Sequence, residues 1–237
     1  MSDSSNDSKP QQETSPGGSV IHRYKTEDWQ RTRMGPPEES AAAFGEAREA
    51  VYRRLFGEPI TVSHEVLPLI PHVDIFKYNR PGKDGREFCT LVTSGMSDLA
   101  MNTPAGIDAP RRVELIFYCR EPKAEYIETM RFLAHFPHDQ RTWVGMGHTI
   151  PNGNPPAPLW GSPDLDTILF IPTIVKRDAT LPDELVLGGE PVHFLWIVPL
   201  TAAECKLKLA RGLNAILDLF GKNRHPHIFD PGRRSYV

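Results

Sequence analysis

One strand-like segment of this chain is apolar on both of its faces, and that pattern constrains the fold more than any other. The segment is 111–120, in which Val113, Leu115, Phe117 and Cys119 alternate with Ile116 and Tyr118. A strand with apolar side chains on both faces is usually buried on both. The segment therefore predicts a central strand, in a sheet that helices cover on each side.

Four further segments have the composition of strands: 73–77, 87–93, 167–175 and 192–198. The last two are also apolar on both faces, as expected for the middle of a sheet. Pro172 has no N–H to give to a strand ladder. Its position predicts that segment 167–175 is an edge strand or a bulged one.

Three segments have the three-and-four spacing of amphipathic helices. The first carries Phe44, Ala47, Val51 and Leu55 and stops at Gly57; the second begins at Pro122 and is limited by Pro137; the third begins at Thr201 and Glu204 and ends before Gly221. The pair Thr201 and Glu204 has the spacing of a reciprocal capping box. The third helix is predicted to run unbroken to Phe220.

The predicted elements follow the order helix, strands, helix, strands, helix. This order lacks the regular alternation that builds a doubly wound parallel sheet. The sequence therefore predicts an α+β fold, a sandwich of a mixed, mostly antiparallel sheet flanked by helices.

Composition divides the chain into two parts. Residues 1–35 are dominated near their start by Ser, Asp, Asn and Pro, and such a segment has too little apolar surface to offset its ordering entropy. We expect a disordered or poorly ordered N-terminal tail at 1–35 and one domain at 36–237. Within that domain, residues 150–163 are too rich in Pro and Gly for regular structure and predict a long loop.

Charge and cysteine usage argue against several classes of protein. With 27 Lys and Arg against 30 Asp and Glu, the net charge is −3, which leaves no overall basic surface for a nucleic acid. The longest apolar runs, 168–171 and 194–200, are far below the ~18 residues of a membrane span. The N-terminus has no signal-peptide pattern, and three widely spaced cysteines suggest neither a disulfide framework nor a zinc site. We expect a cytoplasmic protein without nucleic-acid or membrane partners.

The segment Gly95, Met96, Ser97, Asp98 is similar to a nucleophile elbow, which has the pattern G-x-S-x-G. The second glycine is missing here, because Leu99 stands in its place. The pattern favours a tight turn in which Gly95 takes a positive φ while Ser97 and Asp98 bond to the local backbone.

Glu114 is an acid inside the most apolar strand segment. It lies either on a solvated face or in the core, paired with an arginine. The sequence offers five arginines as candidate partners: Arg111, Arg112, Arg120, Arg233 and Arg234.

Histidines occur at several positions that could bind a metal: His135, His138, His148, His193, His225 and His227. No H-E-x-x-H pattern accompanies them, and their spacing is too permissive to define a zinc site. We therefore expect neither a metal nor another cofactor.

Several short blocks, in order, resemble the suppressor of fused family. They are residues 91–98, Met101, residues 113–115, residues 147–149, residues 198–200 with Glu204, and Asp230 with Arg233 and Arg234. The resemblance covers roughly residue 50 to the C-terminus and fits the bacterial, single-domain type. It implies an α+β domain whose animal members bind and restrain Gli transcription factors, and whose bacterial members include immunity proteins of polymorphic toxin systems.

The resemblance implies no catalytic residues, and its motif residues are expected to be structural: Gly95, Ser97, Asp98, Glu114, Pro199, Glu204 and Arg233. The function expected is a non-catalytic protein-binding domain, of the immunity type that neutralises a toxin. Its binding surface would be an open sheet edge or the Pro-rich loop.

In the Pro-rich loop, Trp160, Asn152 and Asn154 are the candidate binding residues. If Trp160 is an exposed anchor, its replacement by Ala weakens partner binding by at least ~2 kcal/mol and leaves the melting temperature nearly unchanged.

Two alternatives remain at this point. The first is a serine hydrolase with Ser97 as nucleophile, His148 or His193 as base, and Asp98 or Asp166 as the orienting acid. The second is a small-molecule binder with a pocket beneath the long loop.

Overall fold

The computed structural model describes residues 13–23, Met34, residues 40–79 and residues 88–237. Within these residues the chain forms a sheet of eight strands. The strands are β1 (Thr61–Ser63), β2 (Asp74–Asn79), β3 (Cys89–Ser94), β4 (Arg112–Cys119), β5 (Thr149–Pro151), β6 (Leu165–Pro172), β7 (Val186–Leu187) and β8 (Glu190–Thr201).

The strand order is β1-β2-β3-β4-β8-β6-β5, with β7 paired to β8 outside this path. All pairs are antiparallel except β4 with β8, which run parallel. The mixed, mostly antiparallel α+β architecture predicted from the sequence is confirmed. The strand predicted to be central, β4, lies in the middle of the order.

Helices cover both faces of the sheet. They are α1 (Ala41–Phe56), α2 (Ala124–Asp139), α3 (Leu181–Glu184), α4 (Ala202–Arg211) and α5 (Leu213–Lys222). The helix α2 packs on one face, whereas α1, α3 and α5 contribute to the core on the other.

Alternation along β4 divides its side chains between these two cores. Leu115 and Phe117 lie in the core on the α2 face, whereas Ile116 and Tyr118 lie in the core beneath α1. All four are at most 1 % exposed. Burial on both faces explains why this segment carries apolar residues at every position from 115 to 119.

The third predicted helix is two helices, and the prediction of one unbroken helix from Thr201 to Phe220 is wrong. The helix α4 ends at Arg211 and α5 begins at Leu213, with a φ of 83° at Gly212 between them. Glycine adopts this positive φ without steric cost, so the chain changes direction there. The predicted capping box is present, because the side chains of Thr201 and Glu204 each bind the other's backbone N–H.

Pro172 does not place its strand at the edge of the sheet. The strand β6 lies between β8 and β5, and its register shift occurs between Leu165 and Thr167. Pro172 is the last residue of β6, where a missing N–H costs little. The bulge is therefore present, but at the opposite end of the strand from the proline.

Part of the predicted N-terminal tail lies against the folded body. The N–H of Gly17 donates to the carbonyl of Leu209 at 2.7 Å, and Lys208 Nζ donates to Ser19 Oγ at 3.2 Å. A carbonyl in the last turn of a helix has no partner within the helix, so α4 can accept this turn. Residues 13–23 thus contact α4; the rest of the predicted tail, apart from Met34, lies outside the described residues, and the expectation for 1–35 stays a prediction.

Among the residues that the structure describes, no helix has both the length and the apolar character needed to cross a membrane.

Candidate functional site

A buried polar cluster lies where β3 ends, and the carboxylate of Glu114 is at its centre. Glu114 is 0 % exposed. Its Oε1 accepts from the N–H of Gly95 at 3.0 Å, from the N–H of Ser97 at 3.0 Å and from Ser97 Oγ at 2.6 Å. Its Oε2 accepts from Thr93 Oγ1 at 2.5 Å. The carboxylate therefore holds the turn after β3 against β4.

Arg48 of α1 supplies the positive charge of this cluster. Its Nε lies 3.7 Å from Glu114 Oε1, and its Nη1 forms a close ion pair with Asp98. Its Nε also donates to Ser94 Oγ at 3.0 Å. A buried carboxylate needs such a partner, because an uncompensated charge in a protein interior is strongly unfavourable.

Gly95 is the residue that lets the chain turn at this point. Its φ is 126°, as the sequence predicts, and a Cβ there would lie 1.8 Å from the carbonyl oxygen of His72. An L side chain rarely adopts this φ, and the neighbouring backbone leaves no space for one. The turn therefore requires glycine for two independent reasons.

The charges of the cluster affect one another's protonation. Burial on its own would lower the pKa of Arg48, but Glu114 and Asp98 outweigh it and raise that pKa. Burial raises the pKa of Asp98, although the Arg48 guanidinium acts in the opposite direction. The Arg48 guanidinium therefore stays charged, whereas burial makes the Asp98 carboxyl easier to protonate than that of an exposed aspartate.

Two details of this cluster differ from the sequence-based expectation. The side chains of Ser97 and Asp98 bond to Glu114 and Arg48 rather than to the local backbone. The partner of Glu114 is Arg48, which was not among the five candidate arginines. Those candidates lie in or near the strands and the C-terminal segment, whereas Arg48 reaches the site from α1, which shares a core with Ile116 and Tyr118 of β4.

One sequence signal could have identified Arg48. It lies four residues after Phe44 and four before Tyr52, and so falls within the apolar stripe of α1. A charge inside a buried stripe needs a buried partner of opposite sign. Glu114 is the matching case, an acid inside an apolar strand.

Ser97 does not have the surroundings of a catalytic nucleophile. It is 0 % exposed, and its hydroxyl donates to Glu114. His148, one of its expected bases, packs instead against Trp143 with ring centroids 4.2 Å apart, and burial lowers the pKa of His148 to about 4. In the described part of the chain, the hydrogen-bond partners of the Ser97 side chain are Glu114 and Arg48, not an imidazole.

A second buried carboxylate, Glu204, is held by the C-terminal segment. Arg233 binds it in a bidentate manner, with Nη1 to Oε1 at 2.6 Å and Nη2 to Oε2 at 2.7 Å. Arg233 Nη2 also donates to the carbonyl of Pro199 at 3.0 Å, and the N–H of Tyr236 donates to Glu204 Oε1 at 3.0 Å. The structure thus brings together three motif residues, Pro199, Glu204 and Arg233.

The electrostatic environment of Glu204 favours its charged form. Burial would raise its pKa, but the hydrogen bonds from Arg233 and from the N–H of Thr201 outweigh burial and lower it. Bidentate Arg–carboxylate pairs are among the stronger charged contacts in proteins. This pair fastens the C-terminal segment to the start of α4.

The predicted candidate histidines are engaged separately. His135 Nε2 lies 2.8 Å from Glu65 Oε1, whereas His138 Nε2 lies 3.1 Å from the carbonyl of Met96. Over residues 13–23, 40–79 and 88–237, no group of three or more His, Cys, Asp or Glu side chains is arranged to hold a metal ion.

The Pro-rich loop buries its tryptophan. Trp160 is 6 % exposed and its ring packs against Phe117, Tyr126 and Phe229, at centroid distances of 5.0, 5.0 and 5.1 Å. Its Nε1 donates to Thr129 Oγ1 at 2.9 Å. The indole therefore belongs to the core, which is at odds with the role of an exposed anchor.

The two candidate asparagines of the loop have different surroundings. Asn152 Nδ2 donates to the carbonyls of Ala157 and Pro158, at 2.9 and 3.2 Å. Asn154 is exposed. Asn152 thus shapes the loop, and Asn154 is the one of the two that a partner can reach freely.

A small pocket lies beside the C-terminal segment. Its lining includes Phe117, Trp196, His225, Phe229 and Arg233, and its volume of about 10 Å³ is close to that of one water molecule. A ligand of drug or metabolite size needs several hundred Å³. This pocket does not support a small-molecule site.

Comparison with protein families gives one match. The family described as Suppressor of fused protein (SUFU) matches residues 70–234. Both buried carboxylates lie within this range. No curated protein sequence matches the chain.

Solved structures with the same fold come from several sources. A protein described as a SUFU homologue from Neisseria gonorrhoeae FA 1090 has a TM-score of 0.61 at 17% identity, covering 83% of this chain and 98% of its own. The Sufu–Fu complex has a TM-score of 0.57 at 15% identity, covering 83% and 92%. Drosophila Suppressor of Fused has a TM-score of 0.50 at 13% identity, covering 90% and 54%.

Replacing Gly95 by Ala tests the turn directly. We expect the free energy of unfolding to fall by about 3–5 kcal/mol, because a strained φ and a backbone clash act together. Urea unfolding measures the change. Gly106→Ala is the matched control: its φ is also positive, at 80°, but a Cβ there meets nothing within 4 Å. Equal losses in the two variants would contradict the close approach at His72.

Replacing Trp160 by Ala tests whether the indole is part of the core. We expect a loss of about 3–5 kcal/mol in the free energy of unfolding, as for other buried aromatic residues. Trp160→Phe keeps a ring in the core but loses the hydrogen bond to Thr129, so it should cost less. An unchanged melting temperature in Trp160→Ala would restore the exposed-anchor interpretation.

Proposed function

Because the chain belongs to the suppressor of fused family, we propose that it is a non-catalytic protein-binding domain that neutralises a partner toxin by covering its surface. The observation that carries the proposal is the fold shared with the Sufu–Fu complex over 83% of this chain. A domain of this fold in a complex with another protein supports a protein partner here. The toxin is the more specific part of the proposal.

The state of the polar clusters also supports binding rather than bond-making. Glu114 and Glu204 are each 0 % exposed and each is paired with an arginine. Fully buried acids that are bonded to protein donors have no access to a substrate. We therefore attribute recognition of a partner to the shape of the domain surface and to its exposed side chains.

The two ends of the sheet differ as places for a partner strand. At the β5 end, Pro151 has no N–H, and its carbonyl already accepts from the N–H of Gly153 at 3.0 Å. At the β1 end, the adjoining loop exposes Val66 at 94 % and Leu67 at 57 %. The apolar side chains exposed beside β1 favour this end of the sheet for a strand from the partner. Within the described residues, one β1 carbonyl, that of Ser63, already accepts from Arg131 Nη2 at 2.8 Å.

The Pro-rich loop is a second contact surface within the same proposal. Asn154 is exposed there, and Asn152 fixes the loop in one shape. A loop that is already ordered loses little entropy when a partner binds. We therefore keep Asn152 and Asn154 as candidate binding residues, and Trp160 as the core residue that supports them.

We also propose that residues 36–237 act as one domain in the cytoplasm. The helix α1, which precedes the family match, contributes Val51, Tyr52 and Leu55 to the core beneath the sheet. The thiols of Cys89, Cys119 and Cys205 are free, which suits a reducing compartment.

Co-expression with the products of neighbouring reading frames tests this function. We expect one product to arrest growth alone, to be tolerated together with this chain, and to form a stoichiometric complex with it. Complex formation is measured by calorimetry on the purified proteins. A complex without growth rescue would contradict neutralisation, and the absence of any complex would contradict the binding function.

A matched pair of variants tests the β1 edge. Val66→Asp should weaken the complex at least about tenfold, because it places a charge in an apolar contact. Val186→Asp is the control, since Val186 is also exposed, at 56 %, but lies on β7. Equal affinities of the two variants would place the contact elsewhere.

A further inference from the structure

Two cysteines lie directly opposite each other on neighbouring strands. Cys89 of β3 pairs with Cys119 of β4 in antiparallel register. Opposed residues of antiparallel strands have Cα atoms about 4.5–5.5 Å apart, on the same face of the sheet. That spacing falls inside the roughly 4.4–6.8 Å over which disulfides form.

The pair lies where β3 begins and β4 ends, inside the core on the α2 face. Cys89 is 2 % exposed and begins β3, while Cys119 is 1 % exposed and ends β4. Directly after Cys119 the chain is exposed, at Arg120 and Glu121. The two thiols therefore lie in the core, beside the point where the chain leaves β4 for exposed residues.

The two thiols differ in acidity. The neighbouring Cys119 thiol lowers the pKa of Cys89 despite burial. The neighbouring Cys89 thiol, together with burial, raises the pKa of Cys119. Cys89 is thus the better nucleophile of the two, and Cys119 is the thiol that stays protonated beside it.

We propose that Cys89 and Cys119 form a redox-active dithiol that a hydroperoxide converts into a disulfide between β3 and β4. The proposal is independent of the partner and of the proposed function. It rests on the register of the two strands, which holds the thiols together before any oxidant arrives.

The reaction has two balanced steps. The Cys89 thiolate attacks one oxygen of hydrogen peroxide, the O–O bond breaks, and the products are a sulfenic acid and hydroxide. Cys119 then attacks the sulfur of the sulfenic acid; its proton and the leaving hydroxyl form water. In total, two thiols and one peroxide give one disulfide and two waters, with two electrons passing from sulfur to the peroxide.

Cys205 provides an internal comparison. It lies on α4, is half-buried, and burial raises the pKa of its thiol. Because Cys205 lies on a helix, no cysteine is opposed to it as Cys119 is to Cys89. Peroxide can therefore oxidise Cys205 only to a sulfenic or higher acid, whereas oxidation of the opposed pair ends at the disulfide.

The test uses the full chain treated with hydrogen peroxide, followed by unfolding, alkylation of the remaining thiols and intact mass measurement. We expect neither Cys89 nor Cys119 to be alkylated, digestion to yield a peptide that links Cys89 to Cys119, and dithiothreitol to restore both thiols. If Cys89 and Cys119 both remain alkylatable under conditions that oxidise Cys205, the proposal is wrong.

Three variants complete the experiment. Cys205→Ser should form the disulfide at the wild-type rate, whereas Cys89→Ser and Cys119→Ser should form none. Oxidation of Cys89 in the Cys119→Ser variant should also proceed beyond the sulfenic acid, because the resolving thiol is gone. If a cysteine variant does not fold, the intact mass and the linked peptide of the oxidised wild-type chain still test the proposal. A linked peptide that joins Cys205 to either cysteine would contradict the assignment.

Discussion

The structure depends most on one buried charge, the carboxylate of Glu114. It accepts hydrogen bonds from two N–H groups of the turn after β3, at Gly95 and Ser97, and it faces Arg48 of α1. Three elements that are far apart in sequence are thus tied to one point. Removing one partner of such a pair leaves the other charge without compensation, at a cost of about 3–5 kcal/mol.

The same arrangement recurs at the other end of the domain, where Glu204 holds Arg233 and the N–H of Tyr236. In both clusters an acid that could act in catalysis is instead fully buried and satisfied by donors. Buried polar groups need such complete hydrogen bonding. This use of the polar residues is why we attribute the function of the domain to its surface.

Much of the fold could be predicted from local patterns. The apolar residues on both faces of β4 indicated a central strand, and the glycine of the turn after β3 indicated a positive φ. The strands β1, β5 and β7 were missed because two or three residues are too few to show a period. The break at Gly212 was missed because the apolar spacing continues across it.

The parts of the site that could not be predicted are contacts between distant segments. The pairing of Arg48 with Glu114, the position of Trp160 in the core and the meeting of Arg233 with Glu204 all depend on how layers pack. Periodicity describes the face of an element but not the side chain that it meets. Arg48, a charge within the apolar stripe of α1, shows that the sequence pattern can still indicate where a buried partner is needed.

Hydrogen exchange at the N–H groups of Gly95 and Ser97 tests the central claim most directly. If Glu114 is a scaffold for the turn, these two amides exchange only through global unfolding, with the same free energy as the amides of Leu115 and Ile116 in β4. Exchange that is many times faster, through local opening of the turn, would show a mobile site and contradict the account.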